Sequence, residues 1–424
     1  MSNFSQLGIQ PHLIQRLSGL GIQIPTPVQE QSIPLLLDHH DVLACAQTGT
    51  GKTAAFGLPM IQMLTQGLVN AQDEPQPRDP KAIRALVLTP TRELAQQVFD
   101  SITSYAEDDV NCAVIYGGVS MKPQLQALKE GVELVVATPG RLLDHLFTGS
   151  LHLNAVEFFV LDEADRMLDM GFMPDLQRIM RRMNAQRQSL LFSATFSDPI
   201  KKIAQRILNQ PKIVQIAAQN QAAETVTQML HPVDQSKRPQ ALSYLIGSRN
   251  DAQVLVFVKT KQGADQLVKS LKLDGLKASS IHGDKSQGAR HKALDDFKNG
   301  KLRILVATDV AARGLDISAL PLVINYELPY KAEDYIHRIG RTGRAGETGV
   351  AISFMTPKEE YLLEAIERLL DIRIPQSWLT GFEPSFEPEV ESERTVKPKR
   401  GRSYEKKKLK AKLKIHAGRG KAKS

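Results

Sequence analysis

The stretch Ala46-Gln47-Thr48-Gly49-Thr50-Gly51-Lys52-Thr53 decides the fold. It closes a run of strand-like residues (Val42, Leu43, Cys45) and opens a run with helical character. That is the setting a phosphate-binding loop needs. Gly49 and Gly51 allow a tight turn with N–H groups aimed inward, Lys52 can reach the β- and γ-phosphates, and the Thr53 hydroxyl can ligate Mg²⁺. One departure is Ala46, which stands where such loops usually carry their first glycine. A second stretch sharpens the reading: the apolar strand Phe158-Phe159-Val160-Leu161 runs straight into Asp162-Glu163-Ala164-Asp165. Three carboxylates within four residues at a strand end suit a further Mg²⁺ contact at Asp162. Beside it, Glu163 suits a group that positions or deprotonates water.

Strand and helix signals alternate around these two sites. Ala85 to Leu88, Ala113 to Tyr116, Leu134 to Ala137 and Leu190 to Phe192 read as strands, and a helix starts at Arg92. Strands apolar throughout, separated by amphipathic helices, predict a parallel sheet covered on both faces. Ahead of the loop, Leu13, Ile14, Leu17 and Leu20 recur at helical spacing with Gly21 as a stop, which predicts a small docking helix. The Pro- and charge-rich stretch Asp73 to Lys81 reads as an exposed loop. From Ala217 to Glu224 the chain is small and polar with no apolar period, the signature of a linker. The alternation then restarts with Val254 to Val258, a helix from Gln262 to Leu273, Ala278 to His282, Ile304 to Ala307, Leu322 to Tyr326 and Val350 to Phe354. The apolar-faced helix Tyr361 to Leu370 closes this second α/β lobe, which has no phosphate loop of its own. Trp378, Phe382 and Phe386, scattered among Pro and Glu, are expected to pack against it.

Length and composition agree with two lobes and a tail. The chain has 424 residues, 42% hydrophobic and 24% charged, and no apolar run near the ~18 residues of a membrane span. Met1 to Leu20 lacks the uninterrupted apolar core of a signal peptide, so a cytoplasmic location is expected. Two cysteines, Cys45 and Cys112, are too few for a disulfide framework or a zinc site. The net charge of +8 is unevenly spread. Lys397 to Ser424 holds thirteen Lys or Arg against Glu405, a net of +12, which leaves the first 396 residues at −4.

Five further strings stand where strands end or helices begin, the places where open α/β sheets build sites. They are Pro90-Thr91-Arg92-Glu93-Leu94, Thr138-Pro139-Gly140-Arg141, Ser193-Ala194-Thr195, Ala307-Thr308-Asp309 through Arg313-Gly314-Leu315-Asp316, and His337-Arg338-Ile339-Gly340-Arg341-Thr342-Gly343-Arg344. The ordered set, with Asp162-Glu163-Ala164-Asp165 spelled out in full, resembles the DEAD-box RNA helicase family from about Phe4 to Asp371. The RhlE-type bacterial group is similar in its short N-terminal lead and brief basic tail.

The resemblance implies two tandem RecA-like domains that close on ATP and single-stranded RNA. The first spans 1–210 and includes an adenine-recognition segment. A linker at 211–224 joins it to the second, 225–375, and 376–424 forms a basic, disordered tail. Gln29, after Gly21 and Pro25-Thr26, is implied to pair with the adenine edge, and Phe4 to stack on the base. In the second lobe Arg341 and Arg344 match the arginine fingers and Asp316 the ribose contact, while His337 orients Ser193, Thr195 and the attacking water. For RNA the resemblance assigns Pro90, Thr91, Arg92, Gly118, Thr138 and Arg141 on the first lobe, with Gln287, Arg290 and Thr308 on the second. It further implies a monomer with ribosome-assembly or RNA-decay partners.

Physics supports these roles independently of the family. Hydrolysis needs the γ-phosphate charge neutralised, and an arginine finger is worth ~10³ to 10⁵ in rate, so fingers on a separate lobe make hydrolysis wait for closure. Phosphate-contacting residue types without an aromatic platform predict binding largely indifferent to base sequence. The tail, with Lys406-Lys407-Lys408, Lys410, Lys412 and Lys414, suits nonspecific nucleic-acid tethering. A solvated tail with no partner is its rival, and Leu409 with Leu413 makes too thin an apolar face for a membrane helix. The function expected is an ATP-dependent RNA helicase that opens short duplexes locally. An ATP-gated RNA clamp, or an ATPase acting on DNA or protein, are the alternatives.

Overall fold

The structure, a computed structural model, describes residues 2–46, 49–66, 82–216, 226–249, 251–312, 317, 320–343 and 349–385. Its first lobe is one parallel sheet whose strands are β1 Val42–Cys45, β2 Ala85–Leu88, β3 Cys112–Ile115, β4 Leu134–Ala137, β5 Phe158–Leu161, β6 Gln188–Ser193 and β7 Lys212–Gln215. They lie in the order β3-β4-β2-β5-β6-β1-β7. Alternate residues feed opposite cores. Val42 and Ala44 of β1 join one cluster with Ala85 and Val87 of β2, while Leu43, Leu86 and Leu88 join the cluster on the other face. Burial on both sides is why these strands read as unbroken apolar runs.

The second lobe repeats the plan with β8 Val226–Pro232, β9 Val254–Val258, β10 Ala278–Ile281, β11 Ile304–Thr308, β12 Leu322–Asn325 and β13 Gly349–Met355. These are parallel in the order β10-β11-β9-β12-β13-β8. Val254, Val256 and Val258 face one core, Leu255 and Phe257 the other. The closing helix, Glu360–Leu370, buries Leu362, Leu363, Ile366 and Leu370. No helix among the described residues is long and apolar enough to cross a membrane.

Two strands escaped the sequence reading. β7 occupies the start of the expected linker, pairing Val42 with Lys212 and Cys45 with Gln215. Only Val214 of its four residues is buried, so this edge strand carries no apolar run to detect. β8 alternates instead of running apolar. The expected tail also begins too early at 376. Gln376 bridges to Leu230, the Ser377 N–H donates to the Leu230 carbonyl at 3.0 Å, and Phe382 packs on the second-lobe core beside Tyr244. Trp378 stays 63% exposed, contrary to the expectation of packing. Residues 217–225, Phe386 and the basic tail lie outside the described residues, as does the loop from Asp73 to Lys81.

The N-terminal helix Pro11–Gly19 buries Leu13 and Leu17. Its Arg16 donates to the carbonyls of Tyr105 and Ala106 and pairs with Asp109 at 2.7 Å, which fixes it to the first lobe.

Candidate functional site

Each quoted string falls at the carboxyl end of a strand, where side chains from successive loops converge. The phosphate loop turns where its glycines permit, with φ of 82° at Gly49 and 88° at Gly51. Gly51 is needed for a second reason: the Gln29 amide nitrogen donates to its carbonyl at 3.0 Å, and a Cβ there would collide with that nitrogen. The Gln29 oxygen accepts from the Thr26 N–H at 2.9 Å, closing a capping box at the start of helix Pro27–Leu37. Gln29 therefore braces the loop it was expected to accompany, and one amide N–H and one lone pair remain for a base edge. Phe4 is 2% exposed and belongs to the first-lobe core cluster that also holds Leu7 and Ile9.

Lys52 is 6% exposed, its Nζ has no hydrogen-bond partner among the described residues, and the nearest carboxylate oxygen, Asp162 Oδ1, is 3.9 Å away. A buried ammonium without acceptors is costly, and phosphate oxygens are the acceptors such a cradle fits. Thr53 follows in the first turn of helix Lys52–Gln66. The Ala46 N–H donates to the Ser193 carbonyl at 2.9 Å, tying the loop to β6. Gln47 and Thr48, like Asp316 and Arg344, lie outside the described residues.

The two buried carboxylates are driven apart. Burial pushes Asp162 up to about 6 although Lys52 opposes it. Burial acts on Glu163 in the same sense, but Arg166, Lys52 and Arg341 outweigh it and hold Glu163 well below the usual carboxylate range. Arg166 Nη1 lies 3.2 Å from Glu163 Oε2. Glu163 also sits at φ 51°, ψ 53°, a left-handed conformation costing ~1–2 kcal/mol in a non-glycine residue. Asp165 turns the other way: its Oδ2 accepts from the N–H groups of Ala194 and Thr195 at 3.0 and 3.1 Å, so it holds the Ser193–Thr195 turn.

The second lobe completes a cleft of about 410 Å³, whose walls include Glu163, Arg166 and Thr195 on one side with His337 and Arg341 on the other. Arg341 is 5% exposed. Its neighbour Arg338 is a strut: both ends of its guanidinium hold Asp309 at 2.6 and 2.7 Å, and Nη1 donates to Asn325 Oδ1 and the Glu327 carbonyl. Direct contacts cross between lobes here, among them Arg166 Nη2 to the Val310 carbonyl at 2.5 Å and Lys331 Nζ to Asp169 Oδ1 at 2.5 Å.

The residues expected on RNA fall into one neighbourhood. Thr91 caps helix Arg92–Ala106 by accepting from the Leu94 N–H at 3.4 Å. The Arg92 guanidinium lies so close over Gly118, at φ 81°, that a Cβ there would collide with it. Arg141, in the first turn of helix Pro139–Phe147, donates from Nη1 and Nη2 to the Val119 carbonyl at 3.2 Å. Pro90, Thr91 and Thr138 are buried, which leaves Arg92, Gly118 and Arg141 as the surface open to a ligand. From the second lobe, Gln287 Nε2 and Arg290 Nη2 each reach Glu93 Oε1 at 3.0 Å, while Thr308 is buried at the end of β11. Sequence reasoning missed Glu93, Asp165, Arg166, Asp309 and Arg338 as site builders. All but Arg166 sit inside strings already singled out, and Arg166 lies three residues from Glu163.

Comparison with known proteins agrees with this geometry. The family model described as DEAD/DEAH box helicase matches residues 26–203, and the helicase conserved C-terminal domain matches 237–346. The chain is 44% identical over 369 residues to the DEAD-box ATP-dependent RNA helicase CshA of Geobacillus kaustophilus, covering 87% of this chain and 76% of that protein. It is 40% identical over 401 residues to CshA of Bacillus subtilis, covering 94% and 78%. Among solved structures it is similar to S. cerevisiae Dbp5 bound to RNA and ADP BeF3, with TM-score 0.78, 32% identity and coverage of 89% and 96%. Mss116p bound to ssRNA and AMP-PNP gives TM-score 0.80 at 29% identity, covering 91% and 80%.

Proposed function

This chain belongs to the DEAD-box family of ATP-dependent RNA helicases, and from that premise we propose how its residues divide the work. ATP lies in the cradle of 46–53 with its phosphates toward Lys52, and Gln29 offers its remaining donor and acceptor to the adenine edge. Thr53 and Asp162 would hold Mg²⁺, which would supply neutralisation of phosphate charge. Glu163 orients the attacking water, and His337 with the Ser193–Thr195 turn lines the same space. Arg341 and Arg344 bring positive charge from the second lobe, and Asp316 meets the ribose.

One observation carries this reading: Lys52, Asp162 and Glu163 from the first lobe and Arg341 from the second are all buried, and Glu163 and Arg341 line the same cleft. Hydrolysis of this kind is electrostatic stabilisation by preorganised groups, and the set is complete only with both lobes.

RNA runs over Arg92, Gly118 and Arg141 and on to Gln287 and Arg290, bound by phosphate contacts and hence largely without regard to sequence. Neighbours of the same fold that are bound to RNA support RNA as the ligand. The helicase opens short duplexes locally. Domain limits near 1–216 and 226–383 fit the strand pairing better than those read from sequence. A monomer, a cytoplasmic location and ribosome-assembly or RNA-decay partners complete the proposal. The RhlE-type assignment draws only on the lead and tail, and the relatives compared above carry the CshA name instead.

ATP turnover measured with single-stranded RNA, with DNA of the same sequence and with no nucleic acid tests the whole reading. RNA alone should stimulate turnover strongly. Equal rates in all three would remove RNA from the cycle, and equal stimulation by DNA would point to the alternative substrate.

A further inference from the structure

Arg166 belongs to none of the strings that the sequence offered, yet its guanidinium touches both lobes at the cleft. Nη1 meets Glu163 Oε2 at 3.2 Å, and Nη2 donates to the Val310 carbonyl of the second lobe at 2.5 Å. Arg166 is 4% exposed, so this is no solvated surface pair. A guanidinium is a rigid plane, and fixing one nitrogen fixes the direction of the other.

The acceptor on the far side is equally well fixed. The Val310 side chain is 56% exposed, so the carbonyl, not the side chain, is what the cleft uses. The preceding residue, Asp309, is gripped at both oxygens by Arg338, whose carbonyl in turn accepts from the Arg341 N–H at 3.2 Å. The Val310 carbonyl and Arg341 therefore belong to one frame. A continuous set of hydrogen bonds leads from that frame through Arg166 to Glu163, and parting the lobes breaks it at a single place.

We propose that Arg166 is a positioning residue that reports lobe closure to Glu163: its fork fixes the carboxylate for the attacking water only while the Val310 carbonyl holds its other nitrogen. The inference rests on the proposed role of Glu163 as the group that orients water. It makes the carboxylate respond to closure separately from the arrival of Arg341, so two elements of the site depend on the second lobe. Lysine at this position would keep the positive charge near Glu163 but could not hold both partners in one plane.

The test is steady-state ATP turnover of full-length Arg166→Lys and Arg166→Ala, with Lys331→Ala as the comparison that breaks an interlobe contact without touching Glu163. Arg166→Lys should lower kcat at saturating RNA and ATP by about 10-fold or more, with KM for ATP changed far less, as for a group that orients rather than binds. Lys331→Ala should instead raise the half-saturating RNA concentration and preserve kcat. Methylguanidinium should restore part of the kcat of Arg166→Ala, and methylammonium should not. Thermal unfolding of each variant separates lost folding from lost positioning, and Arg166→Lys carries the test if the alanine variant does not fold. Arg166 variants with wild-type kcat, or with only the Lys331→Ala pattern, would overturn the inference alone. Absence of RNA-stimulated turnover in the unsubstituted chain would overturn the functional reading beneath it.

Discussion

Arg290 of the second lobe places its guanidinium 3.0 Å from the carboxylate of Glu93 in the first, with both side chains nearly buried. Gln287 donates to the same oxygen. Two second-lobe residues expected on RNA thus meet on one first-lobe carboxylate, the neighbour of Arg92. Neutralising that carboxylate should loosen closure on the RNA side. Glu93→Gln is expected to raise the RNA concentration for half-maximal ATP turnover about 10-fold, or about 1.4 kcal/mol, while kcat at saturating RNA stays within about 2-fold. An unchanged RNA titration would mean that the pair contributes nothing to closure.

Asp162 gives a pH signature. Its carboxyl is pushed up to about 6 by burial, above the 3.8 of a free aspartate, so the free protein holds a proton there over a range where an unfolded chain would not. The protonated form is favoured below about 6, and the stability it contributes is lost as pH rises from about 4 through 6. Mg²⁺ must displace that proton. The Mg²⁺ concentration for half-maximal turnover should therefore climb as pH falls below about 6 and stay flat above it. A Mg²⁺ requirement independent of pH between 5 and 8 would contradict the raised carboxyl.

Asp165→Ala removes the acceptor for the Ala194 and Thr195 N–H groups. Each unsatisfied donor costs ~1–3 kcal/mol, and ~1 kcal/mol moves the melting point of a domain this size by ~2–4 °C. Thermal unfolding should shift down by several degrees, and turnover should fall because the Ser193–Thr195 turn is no longer held. A variant with unaltered unfolding would mean those N–H groups find other partners.

How much of this was open to sequence reading depends on where the cause lies. The alternation of apolar strands and the loop at 46–53 are local patterns, and the structure reproduces them within a residue or two from Val42 to Phe354. The catalytic strings were legible because strand ends are where such a fold gathers its chemistry. What bonds the lobes was not. Arg166 and Val310 are 144 residues apart and Glu93 and Gln287 194 apart, and no period or spacing joins residues that distant. The burial of Phe4 was not legible for a related reason: an aromatic residue near the chain start reads the same whether it stacks on a ligand or fills a core. The bracing role of Gln29 went unread, because attention to its adenine contact passed over its place three residues after the N-cap Thr26.

The tail offers a test that leaves the lobes intact. It concentrates thirteen cationic side chains in 28 residues, while the rest of the chain is net negative. Truncation before Lys397 should weaken RNA binding and flatten its salt dependence, by ~0.7 in the log–log slope per lost phosphate contact on single strands. Turnover at saturating RNA should be nearly unchanged. Identical affinities and slopes in titrations at several salt concentrations would assign the tail's charge to another partner.

Charge from the second lobe completes a site whose phosphate cradle lies wholly in the first. Arg341 is the described residue through which that charge acts, being 5% exposed in the cleft and coupled to Glu163. The most direct measurement is kcat and ATP affinity of full-length Arg341→Ala at saturating RNA. The account predicts a loss in kcat on the order of 10² or more with ATP affinity changed much less, because the group acts mainly in the transition state. A kcat within about 2-fold of the unsubstituted chain would contradict it, since hydrolysis would then proceed without the second lobe's arginine.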